Sequence, residues 1–257
     1  MRIARFVVDD DPKYGVVEGD PGSEVVTVIK GDPFFNGIEP TTIRYPLEDV
    51  RLVAPIIPRS KVVGVGRNFV EHAHELGNEV PTHPLLFLKP NTSVIGPGER
   101  IVLPEFSEEV SYEAELCVVI GRICKDVPEE RVDEVIFGYT CGNDLTARDA
   151  QKTDLQWARA KGFDTSAPLG PWIETELDPE DLDIKAWLNG ELRQDGNTSQ
   201  MIRGVRELVS IVSRAFTLLP GDVIMTGTPA GVGLVTAGDR CDIEIEGIGR
   251  LSNPVTR

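Results

Sequence analysis

Short runs of β-branched residues separated by turn formers dominate the chain. Stretches 3–8, 14–18 and 24–30 are rich in Val and Ile and are broken by Asp-Pro, Gly-Asp and Pro-Gly. This pattern predicts a small β domain over residues 1–55. Pro55 and Pro58 lead into a longer region, 56–257, which opens with Lys61-Val-Val-Gly-Val-Gly66, a buried strand ending in glycines. Further strands are expected over 85–88, 113–120, 138–142, 184–188, 222–226 and 240–245. Helical spacing predicts a helix over 128–137 (Val132, Val135, Ile136) and another over 202–216 (Val205, Leu208, Val209, Val212, Phe216). A short helix is expected over 68–77, with Asn68 as N-cap, Glu71 completing a capping box and Gly77 as the stop. The passage ending Pro168-Leu-Gly-Pro171 reads as turn-rich. Helices and strands do not alternate regularly, so the expected class is α+β and β-rich, not a doubly wound parallel sheet.

Composition adds little to this picture, and charge adds more. The 257 residues are 40% hydrophobic, an ordinary globular balance. Set against 26 Lys and Arg, 42 Asp and Glu give a net charge of −16. Such a surface repels nucleic acid and anionic membranes, and neither is expected as a partner. If the substrate is an anion, its site must reverse the local sign with a metal ion or clustered cations. No leader or membrane-spanning run is visible, so a cytoplasmic location is expected. The four cysteines have no metal-ligand spacing and read as reduced thiols. Gly64-x-Gly66 continues with Phe69 where a dinucleotide fingerprint needs glycine, and neither a phosphate-binding P-loop nor a G-x-S-x-G nucleophile elbow is present.

The stretch Ser111–Ile120 carries the strongest chemical signal. Alternate strand residues share a face, so Glu113 and Glu115 point the same way at the mouth of an apolar run, Leu-Cys-Val-Val-Ile. A solvated strand edge is the ordinary explanation for E-x-E, but the apolar continuation draws this pair inward. Asp144, just past the strand expected over 138–142, can supply a third carboxylate. Three carboxylates without Cys or His select a hard ion: Mg²⁺, Mn²⁺ or Ca²⁺. His72 and Glu75 are i, i+3 neighbours on the short helix, and a carboxylate beside an imidazole suits proton transfer; a surface pair formed by chance is the competing explanation. His74 is expected to face solvent, and His83 lies in a loop. Lys161 can neutralise a substrate carboxylate, against the default of an exposed loop lysine. Thr228, in the glycine-rich loop after the strand over 222–226, can bind a carboxylate.

Seven segments in order resemble the fumarylacetoacetate hydrolase family: GRNFVEHAHE (66–75), LFLKP (86–90), YEAELCVVIG (112–121), NDLTARDAQ (143–151), AKGFDT (160–165), NGELRQDGNTSQMI (189–202) and PGDVIMTGTPAGVG (220–233). The length is similar to the compact bacterial branch. The resemblance implies a mixed β-roll catalytic domain with a small N-terminal β domain, and a homodimer. It implies that Glu113, Glu115 and Asp144 carry Mg²⁺ or Mn²⁺. It further implies that His72 and Glu75 are an acid/base pair on a lid, that Lys161 is catalytic, and that Arg148, Gln151, Lys89 and Thr228 touch substrate. Two departures stand out: no acid lies between Val63 and Asn68, where the larger hydrolase has a fourth ligand, and AKGFDT is similar to bacterial dienedioate isomerases and oxaloacetate decarboxylases. The expected activity is decarboxylation or enol–keto isomerisation of a small 2-oxo diacid through an enolate. C–C hydrolysis of acylpyruvates or β-diketones, or a non-enzymatic metal-binding β module, are the alternatives.

Overall fold

Three sheets account for most of the chain. A computed structural model describes every residue except Leu76 and Asn78; Leu76 belongs to the expected helix over 68–77 and lies outside the described residues. The largest sheet runs Pro40–Pro46, Val25–Ile29, Asp11–Glu18, Arg2–Val8, Ala167–Glu174, Ile136–Asn143, Ala114–Ile120, Val223–Met225, Val62–Gly66, Leu85–Lys89. Two strands lie off this path: Arg51–Val53 pairs with Arg2–Val8, and Val94–Ile95 with Ala167–Glu174. A five-stranded sheet orders Glu191–Asn197, Asp183–Leu188, Arg240–Ile245, Gly249–Thr256 and Ile101–Val102, and a small one joins Thr146–Ala147, Val110–Tyr112 and Gly233–Leu234. Most pairings are antiparallel; Val223–Met225 runs parallel to Val62–Gly66, which makes the largest sheet mixed.

The first 55 residues carry their own strands, yet they extend the largest sheet. Arg2 pairs with Glu174 and Ile3 with Ile173, so backbone hydrogen bonds run from these strands into the rest of the molecule. The hub is Ala114–Ile120, all seven of whose residues are buried. A strand flanked on both sides by strands and covered on both faces reads as a continuous apolar run, and Leu-Cys-Val-Val-Ile is that run.

Several expected elements differ in extent. The helix over 128–137 is a 3-10 helix, Glu129–Glu134, because Ile136 already opens the strand that runs to Asn143. The helix over 202–216 is Val205–Ala215 with Gly204 as N-cap. It starts late because the backbone N–H groups of Ile202 and Arg203 are bonded to Asn68. The passage around Pro168–Pro171 is not a turn but part of the strand Ala167–Glu174. Pro171 falls where the ladder to Ile136–Asn143 shifts register, between the Tyr139–Glu174 and Cys141–Gly170 pairs, so its missing N–H costs no regular bond. The strands Pro40–Pro46, Glu191–Asn197 and Gly249–Thr256 were not expected. Among the described residues no helix is long and apolar enough to cross a membrane.

Candidate metal centre and active site

Strand register gathers the three carboxylates. Ala114 pairs with Asn143 and Glu115 with Gly142, which sets Glu113 beside Asp144, whose N–H donates to the Glu113 carbonyl at 2.9 Å. One side-chain oxygen from each of Glu113, Glu115 and Asp144 lies within 4.8 Å of the others, and all three residues are buried. Two amides lock the strand there. Asn143 Oδ1 accepts from Glu113 N at 2.9 Å, and Gln194 Oε1 accepts from Ala114 N at 2.9 Å. Gln194 also donates to Thr228 Oγ1 and to the Pro229 carbonyl, both at 2.8 Å, tying the carboxylate strand to the loop after Val223–Met225. Gly227, in that loop, gives its N–H to Glu115 Oε2 at 2.8 Å. It sits at φ +101°, where a Cβ would come within 2.7 Å of Asn68 Cβ, so glycine is required.

Three cations face the three acids. Lys161 Nζ reaches Glu113 Oε2 at 2.8 Å and Asp144 Oδ2 at 2.5 Å. Arg148 donates to Glu113 Oε1 at 2.5 Å, to Ser111 Oγ at 2.6 Å and to Gln151 Oε1 at 3.0 Å. Burial alone would raise the Glu113 carboxyl, but Lys161, Arg148 and His72 outweigh it and hold that group well below the usual carboxylate range. For Lys161, burial works against the charge, but Asp144 and Glu113 prevail and raise it. Glu115 is left out of this balance. Among the described residues its carboxylate has a single donor, the Gly227 N–H, and no basic partner. Burial, then Asp144 and Glu113, push it well above the ordinary range, against weaker help from Lys161 and Gly227.

The leftover acceptors define what the cluster can hold. Lys89 Nζ lies 2.7 Å from Asp144 Oδ1, an ion pair buried on both sides. The ammonium also reaches Lys161 O, Ser166 O and Ser166 Oγ. Burial depresses Lys89, with Asp144 only partly offsetting it. A buried carboxylate without a cation of its own, Glu115, is costly in a metal-free protein. Three clustered carboxylates, all oxygen donors, fit a hard divalent ion such as Mg²⁺ or Mn²⁺.

The helix Val70–Glu75 places its pair as the spacing predicts. His72 is buried, and its Nδ1 stands 3.3 Å from Glu75 Oε2. Glu75 Oε1 accepts from Gly231 N at 3.0 Å, so the carboxylate is fixed from two sides. His74 and His83 are exposed. Asn68 is not a cap, and the expected capping box with Glu71 does not form. The Asn68 side chain leaves its own helix, donating to Arg203 O and Thr226 O and accepting from Arg203 N.

A cavity of about 300 Å³ opens over the carboxylates, lined by His72, Glu113, Glu115, Arg148, Gln151, Lys161 and Thr228, with Val65, Gly66, Arg67, Lys152 and Trp157. It therefore brings together all but three of the residues singled out in the sequence. Asp144 and Glu75 stand just behind its wall, bonded to Lys161 and His72. Lys89 departs from its expected place: it is 1% exposed, absent from the lining and hydrogen-bonded behind Asp144. Lys161 is no loop lysine; it lies buried on the short helix Ala158–Gly162. The sequence reading missed Gln194, Asn143, Arg67 and Trp157. Each lies in or next to one of the seven segments, but none carries a spacing that betrays its contacts.

The chain matches the fumarylacetoacetate (FAA) hydrolase C-terminal profile over residues 61–256 and an Rv2993c-like N-terminal profile over residues 1–55. It is similar to a crystal structure of 5-carboxymethyl-2-hydroxymuconate delta-isomerase from Mycobacterium smegmatis, at 48% identity and a TM-score of 0.93, with both chains covered in full. It is 37% identical over 271 residues to oxaloacetate tautomerase YisK of Bacillus subtilis, covering 95% of this chain and 90% of that one. Maleylpyruvate hydrolase from Sphingobium sp. SYK-6, crystallised with manganese (II) ion and pyruvate, is similar at 34% identity and a TM-score of 0.80, covering 100% of this chain and 99% of that one.

Proposed function

From the premise that this chain belongs to the fumarylacetoacetate hydrolase family, we propose that it is a divalent-metal-dependent tautomerase of a small 2-oxo diacid, interconverting enol and keto forms. The observation that carries this reading is the cavity wall itself, where His72 shares one small space with Glu113 and Glu115, two of the three clustered buried carboxylates. Isomerase and tautomerase names among similar proteins support it, and a relative crystallised with Mn²⁺ and pyruvate supports the ion and the 2-oxo acid. The cavity of about 300 Å³ has room for a diacid of a few carbons.

Glu113, Glu115 and Asp144 would hold Mg²⁺ or Mn²⁺. When bound, the ion supplies a Lewis acid that stabilises negative charge on a keto oxygen. The chain's own residues supply the proton traffic. His72 gives a proton to the carbon beside the keto group while the enol O–H proton passes to water and water returns a proton to the imidazole, so the carbon gains one proton and the oxygen loses one. Glu75, bonded to the His72 Nδ1 side and held by Gly231, keeps the imidazole oriented. Loss of enol oxaloacetate is followed by absorbance with Mg²⁺ or Mn²⁺ added and product identified. Enol loss without CO₂ is expected. CO₂ release would assign decarboxylation, two carboxylate fragments from an acylpyruvate would assign hydrolysis, and full activity after exhaustive chelation would overturn the metal.

A further inference from the structure

Four basic side chains line the cavity: Arg67, Arg148, Lys152 and Lys161. Three are already committed. Arg148 and Lys161 hold Glu113 and Asp144, and Lys152 pairs with Glu109 at 2.8 Å. Arg67 alone has no carboxylate partner among the described residues. Its backbone is also unusual for an arginine, with φ +58°, in the left-handed region that favours glycine. Both neighbours are fixed in place. Gly66 ends the strand Val62–Gly66, paired with Leu85, and Asn68 is pinned by its three side-chain bonds to Arg203 and Thr226. A Cβ at Gly66 would meet the Trp157 ring at 2.9 Å, so the wall on that side is already closed. A non-glycine residue kept in a disfavoured conformation at a cavity wall points to a use for its side chain.

We propose that Arg67 is the specificity-determining residue of this site: its guanidinium binds the far carboxylate of the 2-oxo diacid and selects diacids over 2-oxo monoacids. The assignment deepens the tautomerase reading and rests on it. It replaces Lys161 and Arg148, whose charges are spent on the triad. Arginine suits the task because its planar fork matches a carboxylate with two parallel bonds.

The test has two arms, both on Mn²⁺-supplemented full-length protein. In the first, calorimetry compares 2-oxoglutarate with 2-oxopentanoate, which differ only in the terminal carboxylate. Wild type should prefer the diacid by about 10- to 100-fold, the range of one charge-assisted contact, Arg67→Gln should erase the preference, and Arg67→Lys should restore part of it. In the second, kcat/KM for enol oxaloacetate should fall by a similar factor in Arg67→Gln, mostly through KM, while Mn²⁺ affinity stays as in wild type. Arg67→Gly should keep or raise the thermal midpoint, since it relieves the left-handed backbone; a lower midpoint would assign Arg67 a structural role. An equal preference in wild type and Arg67→Gln, or none in wild type, overturns the anchor. An intact binding preference with no turnover of any 2-oxo acid overturns the tautomerase reading and leaves the anchor standing.

Discussion

Glu115 is where the charge balance of the site is decided. Its folded carboxyl is raised by burial and by its two acidic neighbours above the ordinary value of 4.5. For an acid with a raised value, the favourable contribution to stability is complete below about 4.5 and is lost as pH climbs through the raised value. The metal-free protein should therefore weaken with rising pH across that window, and Glu115→Gln should flatten the slope in urea melts at a series of pH values. The same variant should lose turnover by more than the roughly 10- to 100-fold typical of an outer-shell partner, because it removes a ligand. His72→Ala should lower kcat by about 10²- to 10⁴-fold while a Mn²⁺ titration stays unchanged; undiminished turnover would remove the imidazole from proton transfer. The acids were legible in the sequence because E-x-E followed by Leu-Cys-Val-Val-Ile can only dive into the core. Arg67 was not, since the absence of a partner leaves no trace in spacing. Lys89 and Lys161 are both buried and turned toward the triad, and nothing local distinguishes them from surface lysines; their burial comes from Ser166 and Asp144, distant in the chain.

At the scale of elements, the site is a product of register. The pairing of Ala114–Ile120 with Ile136–Asn143 brings Asp144 to Glu113, and a slip of one residue would turn Glu115 to the opposite face. The hub strand, the neighbouring strand over 138–142 and the helical stripe of Val205, Leu208, Val209 and Val212 were all readable, because apolar periodicity records burial directly. Two strands of the five-stranded sheet were not: Glu191–Asn197, at its edge, is polar and half-exposed, and Gly249–Thr256, inside it, is interrupted by Pro254. Asn68 shows the same limit. Locally it looks like an N-cap, yet its amide is satisfied by Arg203 and Thr226, more than a hundred residues away. Asn68→Ala strands those buried backbone groups, and at about 1–3 kcal/mol for an unsatisfied group it should lower the urea midpoint visibly and raise KM, since the segment carrying His72 starts there. An unchanged midpoint would show that water replaces the amide. Gln194→Ala should act in the same direction through Ala114 and Thr228.

Across the whole molecule, a chain of charge −16 encloses a pocket walled by Arg67, Arg148, Lys152 and Lys161. The large sheet carries backbone pairing from the first strands to the carboxylate strand, so the ion should stabilise the chain as a unit. At a hundredfold excess over its dissociation constant, a ligand specific to the folded state contributes about 2.7 kcal/mol. That corresponds to a rise in thermal midpoint of several degrees, at about 2–4 °C per kcal/mol for a protein near this size. Everything proposed here depends on one divalent ion binding at Glu113, Glu115 and Asp144. The direct measurement is a Mn²⁺ titration followed by electron paramagnetic resonance on metal-stripped wild type, Glu115→Gln and Asp144→Asn. One saturable site per chain in wild type, lost in both variants, is the predicted result; no saturable site, or a site that survives both substitutions, would contradict it.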